Sequence, residues 1–476
     1  MLIGSEIPRI VTAAMRGGAG KTLVTIGLIG ALRRRGLSVG AFKKGPDYID
    51  AGWLGLAAGQ CFNLDTYLFP PETLISSFLF RSQGKDMAVV EGNRGLFDGV
   101  DAAGSYSTAE LAKLLEAPIL LILDCTKMTR TAAALVLGAR ALDEHLNLGG
   151  VILNRVGGTR HESVVRRSIE QATSVPVLGS IHKLALDNFP QRHLGLLPYQ
   201  EHPGAVEFVE HAAQVIQQSV EIDEVVSIAR KAKEMGRSID AAPFSAARSC
   251  RVRIGIVRDS AFQFYYPENL EALEALGAEL VYLSALQPSP LPDVDCLYIG
   301  GGFPETHAER LAENEVFRRS LRDAVNGGLP VYAECGGLMY LSRSLVIDDN
   351  AYPMAGVFSV DTVLQRSPQG LGYIRVEVTA ENPFFPVGAE LTGHEFHYSS
   401  IAMPEQLGDY FAFKVLRGHG ADGRNDGICR NNALGTYLHI HALGTPQWAF
   451  SLVRKAAQFR SDPTRHVGEM SQANVR

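Results

Sequence analysis

From Arg9 to about Gly179, short β-branched or aliphatic runs alternate with longer amphipathic stretches, the arrangement expected of βαβ units around a parallel sheet. The clearest runs predict strands at residues 10–14, 87–91, 119–124 and 150–154. A helix is predicted to open near Lys21 and to close on Arg33-Arg34-Arg35-Gly36, where cations meet the negative end of the helix dipole and glycine can form a left-handed cap. Between about Asp223 and Cys250 the pattern weakens into a charged stretch, Ala229-Arg230-Lys231-Ala232-Lys233-Glu234, followed by small and polar residues. It restarts at Arg253-Ile254-Gly255-Ile256-Val257, with a helix predicted around 268–276 and strands at 280–283 and 296–299. The pattern therefore predicts two tandem α/β domains, one over 1–235 with a parallel sheet and one over 251–460, joined by a linker at 236–250 and followed by a tail at 461–476.

Composition changes this picture little. With 46% hydrophobic and 20% charged residues in 476, the chain can bury several cores without metals or disulfides. Lys+Arg 45 against Asp+Glu 51 gives a net charge of −6, which provides no global field for nucleic acid or an anionic membrane. Any anionic ligand must be met by a local site. The six cysteines are irregularly spaced, which predicts reduced thiols rather than a zinc knuckle or redox dithiol. The N-terminus shows no secretory pattern and no apolar run approaches the ~20 residues that span a bilayer, so the expectation is a cytoplasmic protein. The oligomeric state is left open, a homodimer included.

Candidate chemistry lies in both halves. After the first strand, Met15-Arg16-Gly17-Gly18-Ala19-Gly20-Lys21-Thr22 offers a small-residue turn entering a helix, where the N–H groups of Gly17, Gly18, Ala19 and Gly20 can wrap a phosphate chain. Lys21 would then contact the β/γ-phosphates of ATP and Thr22 would ligate Mg²⁺. Met15 replaces the first glycine of the usual loop, so only its second half matches. Glu91, at a strand end, is the expected second magnesium ligand, with Asp47 or Asp50 completing the shell and Lys43 and Lys44 neutralising carboxylates or phosphates. In the second half, Val331-Tyr332-Ala333-Glu334-Cys335-Gly336-Gly337-Leu338 reads as a strand, a tight turn and a helix, which would expose Cys335 as a nucleophile with a thiolate favoured by the helix start. Thr436-Tyr437-Leu438-His439-Ile440-His441 places two imidazoles on one face of a predicted strand, and one of them should serve Cys335 as base. Gly300-Gly301-Gly302-Phe303-Pro304-Glu305 is a candidate oxyanion turn. In Gly393-His394-Glu395-Phe396-His397 the histidines are three apart, which argues against a helical zinc site.

Four segments carry a resemblance over nearly the whole chain: Lys44-Gly45-Pro46-Asp47-Tyr48-Ile49-Asp50, Asn63-Leu64-Asp65, Glu91-Gly92 with Gly95-Leu96-Phe97-Asp98-Gly99, and Arg192-His193-Leu194-Gly195-Leu196. Through them the chain resembles the cobyrinic acid a,c-diamide synthase family. The resemblance implies a dethiobiotin-synthetase-like P-loop domain fused to a flavodoxin-like class I glutamine amidotransferase domain. Its reaction would be ATP- and L-glutamine-dependent amidation of acetate side chains on a polycarboxylate tetrapyrrole. It also implies that Asp47 and Tyr48 lie beside substrate and metal, that Asn154 sits where related proteins read adenine, that His439 is catalytic, and that Gly301 or Gly302 donates to the oxyanion. A glutamate often follows such a histidine by two residues; here that position is His441, leaving the orienting group open. Arg16 and the segment Gly92-Asn93-Arg94 depart from the family pattern and resemble relatives acting on sirohaem or nickel-sirohydrochlorin, with Lys43, Lys44 and Arg94 expected to meet the ring. A second class remains, because Arg16-Gly17-Gly18-Ala19-Gly20-Lys21-Thr22 also resembles the loop of nucleotide-switched partition proteins, which have no use for Cys335 and His439.

Overall fold

The computed structural model describes residues 7–183, 191–192, 195–235, 243–244, 251–402 and 410–462, with backbone alone at 191–192 and 195–196. Most of the expected linker and tail, Cys250, and His193-Leu194 lie outside these residues. The chain divides into two compact units, Met1–Pro243 and Phe244–Arg476.

The first unit is built on seven parallel strands: β1 (Arg9–Ala14), β2 (Val39–Lys44), β3 (Cys61–Leu64), β4 (Met87–Glu91), β5 (Ile119–Asp124), β6 (Leu148–Val156) and β7 (Val177–His182). Their order is β3-β2-β4-β1-β5-β6-β7, parallel throughout. Continuous apolar runs suit this arrangement, since helices cover both faces and every residue of β1, β4 and β5 is buried. Helix α1 (Lys21–Arg34) follows β1, ends on Gly36 at φ 84° as expected, and packs against α3 (Ala205–Ser219); α2 (Ile49–Ala58) follows β2. The carboxyl ends of β1, β2 and β4 gather the loops at 15–20, 45–48 and 92–98, the edge where open α/β sheets hold ligands.

The second unit is built on a nine-stranded sheet of β8 (Val252–Val257), β9 (Ala278–Leu283), β10 (Cys296–Ile299), β11 (Val331–Glu334), β12 (Gly370–Val378), β13 (Glu390–His397), β14 (Tyr410–Arg417), β15 (Asn425–Arg430) and β16 (Ala433–Thr436). The order β9-β8-β10-β11-β16-β15-β14-β12-β13 is parallel from β9 to β16 and antiparallel beyond it. The expected strand over 436–441 does not form: β16 stops at Thr436, and His439 makes only an isolated bridge with His394. The cause is Asp426, whose buried carboxylate accepts from Thr436 Oγ1 (2.7 Å), Tyr437 N (3.1 Å) and Leu438 N (3.2 Å), taking the donors a continuing ladder would need. Among the described residues no helix is long and apolar enough to cross a membrane.

Candidate active sites

The small-residue loop between β1 and α1 folds as a cradle. Gly18 and Gly20 adopt φ 72° and 89°, and a Cβ on Gly20 would lie 2.4 Å from Asn154 Nδ2, so both conformation and space demand glycine there. Asn154, at the end of β6, donates to the Ala19 carbonyl (2.9 Å) and so braces the loop. Arg155 Nη1 donates to Gly18 O and to Asp124 Oδ2 (2.9 Å each), while Arg16 reaches the same carboxylate oxygen at 2.7 Å. The Arg16 departure thus forms one arm of an Arg16–Asp124–Arg155 clamp beside the loop.

Register explains the chemistry at the loop's far side. Parallel pairing of β2 with β4 sets Lys43 opposite Glu91, and Glu91 Oε1 accepts from Lys43 Nζ (2.9 Å) and from Thr22 Oγ1 (2.8 Å). Lys43 also reaches Asp50 Oδ2 (2.9 Å) and the Gly92 carbonyl (3.2 Å). Asp47 caps Asp50 through its backbone N–H (2.8 Å), and Tyr48 stands at the start of α2. Lys21 Nζ donates to the carbonyl of Arg94, a residue held at φ 48°. Burial and the neighbouring Lys43 charge lower the Lys21 pKa; burial lowers that of Lys44 too, against the attraction of Asp65. Burial opposes the Lys43 charge, yet Asp50 and Glu91 hold its pKa above the ordinary value. Glu91 is raised by burial, and Asp47 is pushed up to about 7 by burial and the Asp50 charge.

One observation tests magnesium directly. Glu91 Oε2 is buried without a hydrogen-bond partner, beside the Thr22 hydroxyl, which is the oxygen pair a hard cation would take together with phosphate oxygens. The residues therefore fit the ion. Lys43 is the expectation that needs correcting: at 1% exposure and paired with Asp50 and Glu91, it lies beneath the carboxylates rather than facing a ring. Arg94 is exposed and Lys44 buried.

In the second unit β11 delivers Cys335 into a turn at φ 47°, ψ −100°, before the short helix α5 (Gly336–Leu341). That conformation is strained for a residue with a Cβ and is retained at functional elbows. Cys335 N donates to Thr436 O (2.7 Å), tying the elbow to β16, and the thiol contacts the Phe396 carbonyl at 3.7 Å. Burial raises the thiol pKa, with Glu305 adding and the Gly336 N–H opposing. Burial thus disfavours the thiolate here, against the N–H at the helix start. The turn at Gly301-Gly302 packs between His439 and the elbow: a Cβ on Gly301 would lie 2.6 Å from His439 Cε1, and one on Gly336 would lie 3.0 Å from Gly302 N.

His439 stacks on His394 (4.8 Å between centroids, 19°), and the two residues exchange backbone hydrogen bonds of 2.8 and 3.2 Å. Asn269, on α4 (Pro267–Ala275), pins the following residues by donating to Ile440 O and accepting from Ala442 N (2.7 Å each). The two histidines part company. His439 Nδ1 lies 3.3 Å from Glu334 Oε2, whereas His441 turns to Glu268 (3.7 Å) and the Leu443 N–H (3.2 Å). The expectation that both share a strand face is corrected, because the strand ends before either.

Comparison with known proteins decides between the two classes left open. Residues 10–196 match the model of the CobQ/CobB/MinD/ParA nucleotide binding domain, a description broad enough for both. Residues 253–447 match the CobB/CobQ-like glutamine amidotransferase domain, which only one class contains. The cobyrinate a,c-diamide synthase of Magnetococcus marinus is 43% identical over 457 residues, 94% of this chain and 97% of the relative. Those of Archaeoglobus fulgidus and Methanobrevibacter smithii are 39% and 37% identical, covering 96% and 94% of this chain and 99% of each relative. The chain belongs to the cobyrinate a,c-diamide synthase family. It is an α/β protein with a P-loop nucleotide-binding domain and a glutamine amidotransferase domain.

For a member of this family, four residues escaped the sequence reading. Glu334 carried a usable signal, an acid at the end of an otherwise apolar strand and next to the nucleophile candidate. Asp124 carried the same signal at the end of β5. Asp426 and Asn269 carried none, since their value lies in contacts across the fold with residues near 437 and 441.

Proposed function

We propose that the protein is an ATP- and glutamine-dependent ligase that amidates the a and c acetates of cobyrinate. The macrocycle comes from the family relatives, which are cobyrinate a,c-diamide synthases and so favour cobyrinate over sirohaem or nickel-sirohydrochlorin. Partition activity is disfavoured by the amidotransferase domain.

The chemistry follows from two difficulties. A carboxylate is a poor electrophile, and ammonia is mostly protonated near neutral pH. In the first unit an acetate oxygen attacks the γ-phosphorus of ATP, ADP leaves, and an acyl phosphate forms. The loop N–H groups of 17–20 hold the phosphate chain and Lys21 follows the transferred charge, leaving the Arg94 carbonyl for phosphate. Thr22, Glu91 and Asp47 would hold Mg²⁺, which supplies neutralisation of the phosphate oxygens. In the second unit Cys335 passes its proton to His439 and attacks the γ-amide carbonyl of glutamine, with Gly301 and Gly302 flanking the oxyanion. His439 returns the proton to the leaving ammonia, water releases glutamate from the thioester, and ammonia displaces phosphate from the acyl phosphate.

The observation carrying this reading is the strained Cys335 elbow and the buried, braced His439 on either side of the Gly301-Gly302 turn, in a chain that also holds a P-loop. Cys335→Ser is expected to abolish glutamine-dependent synthesis while ammonium-dependent synthesis at high pH continues. Lys21→Ala should slow acyl-phosphate formation with either nitrogen source by roughly 10²–10³-fold. Loss of both nitrogen sources in a folded Cys335→Ser protein, or normal ATP turnover in Lys21→Ala, overturns the division of labour.

A further inference from the structure

We infer that Glu334 is the positioning carboxylate of the glutaminase site, the group that fixes His439 for proton exchange with Cys335. The inference rests on the assignment of those two residues above.

Glu334 is fully buried. Its Oε2 lies 3.3 Å from His439 Nδ1 and accepts from Tyr298 OH at 3.1 Å, while Oε1 accepts from Ile440 N at 3.2 Å. A carboxylate has no proton to give, so the shared contact fixes the hydrogen on Nδ1 and leaves Nε2 as the basic nitrogen. The ring edge carrying Cε1 and Nε2 faces Gly301, where an added Cβ would sit 2.6 Å from Cε1 and 3.4 Å from Nε2. Stacking on His394 and the paired backbone bonds stop the ring from turning.

The remaining candidates for this role point elsewhere. His441, two residues on, faces Glu268 and lies beside Tyr266, its ring tilted 46° with centroids 4.5 Å apart. Glu395 accepts the N–H groups of His419 (2.6 Å) and Gly420 (2.8 Å), and His397 lies over Tyr437. Glu334 therefore supplies what a glutamate two residues after the histidine would supply, from the residue preceding the nucleophile. When His439 takes the thiol proton, an imidazolium forms in a buried place, and such a charge is costly unless an opposite one adjoins it. Glu334 lowers that cost only while it is ionised, so its charge and its position both count.

The test uses the full-length protein. Glu334→Gln keeps the shape and removes the charge, and roughly 10²–10⁴-fold loss in glutaminase kcat is expected, with the glutamine KM within about threefold of wild type. The acid limb of kcat/KM should move to lower pH, because the imidazolium loses its counter-charge. Iodoacetamide alkylation of Cys335 gives a second readout: Glu334→Gln should slow it at neutral pH, yet add nothing in a His439→Ala background. A wild-type kcat with an unmoved acid limb, or equal slowing in both backgrounds, overturns the role. If Glu334→Gln does not fold, Tyr298→Phe removes one donor from the same carboxylate and should move the acid limb upward; an unmoved limb overturns it equally. Glutaminase activity surviving in Cys335→Ser would instead remove the reading on which the inference rests.

Discussion

His394 is a titratable group the reaction does not consume, and its surroundings keep it neutral. Burial, then His439, then His441 hold its pKa well below the ordinary histidine value, while Tyr266 OH lies 3.2 Å from Nδ1. In the unfolded chain it titrates near 6.5. Below that pH the unfolded state binds a proton that the folded state refuses, so stability falls as pH falls, by up to about 1.4 kcal/mol per pH unit for this one group. Urea unfolding of the second unit should show its midpoint dropping between about pH 6.5 and 5, less steeply in His394→Gln; an equal slope in the variant contradicts this account. The same neighbourhood shows how far a sequence reveals a site. Cys335 was visible from its local setting, a cysteine between a strand and glycines, whereas His439 and His441 were visible only as a pair, and the family resemblance chose between them. Glu334 was visible only as an acid out of place. That His441 turns away was not visible, because Asp426 and Glu268, distant in sequence, decide it.

Elements were legible where an apolar run coincided with burial on both sheet faces. Strands β4 and β5 have the residues their runs predict, and α1 opens at Lys21. Hidden from periodicity was the close approach of α1 to α3. A Cβ on Gly27 would lie 2.4 Å from Ile216 Cγ1 and 2.6 Å from the Ala212 carbonyl, and one on Gly30 would lie 2.6 Å from Ala213 Cβ. Helical glycine alone argues for instability, since alanine is favoured by about 1 kcal/mol; here the missing Cβ lets two helices meet. Gly27→Ala must push backbone apart, so overpacking of about 1–3 kcal/mol should exceed the propensity gain. Gly138, inside the helix Thr131–Leu142, has nothing within 4 Å of its added Cβ. Gly138→Ala should therefore stabilise by up to about 1 kcal/mol. Opposite shifts in melting temperature for the two variants are expected; shifts of the same sign mean that the approach does not govern stability.

At the scale of the whole molecule, a net charge of −6 repels a polycarboxylate substrate, so attraction must come from a few placed cations. The first unit shows which cations are already engaged. Lys43 is closed between Asp50 and Glu91, and Arg16 and Arg155 share Asp124. Lys44 is buried, with burial and Arg94 both disfavouring its charge and Asp65 supporting it. Arg94 is exposed, on a left-handed turn whose backbone carbonyl meets Lys21 beside the proposed phosphate site. A guanidinium there can take a ring carboxylate in a forked pair. Arg94→Ala is expected to raise the cobyrinate KM severalfold more than the ATP or glutamine KM. Salt supplies the control, because exposed charges are screened over about 10 Å at 0.1 M ionic strength. The wild-type cobyrinate KM should climb with added salt and the Arg94→Ala value should climb less. Parallel salt curves, or a rise shared equally by all three substrates, remove Arg94 from tetrapyrrole recognition.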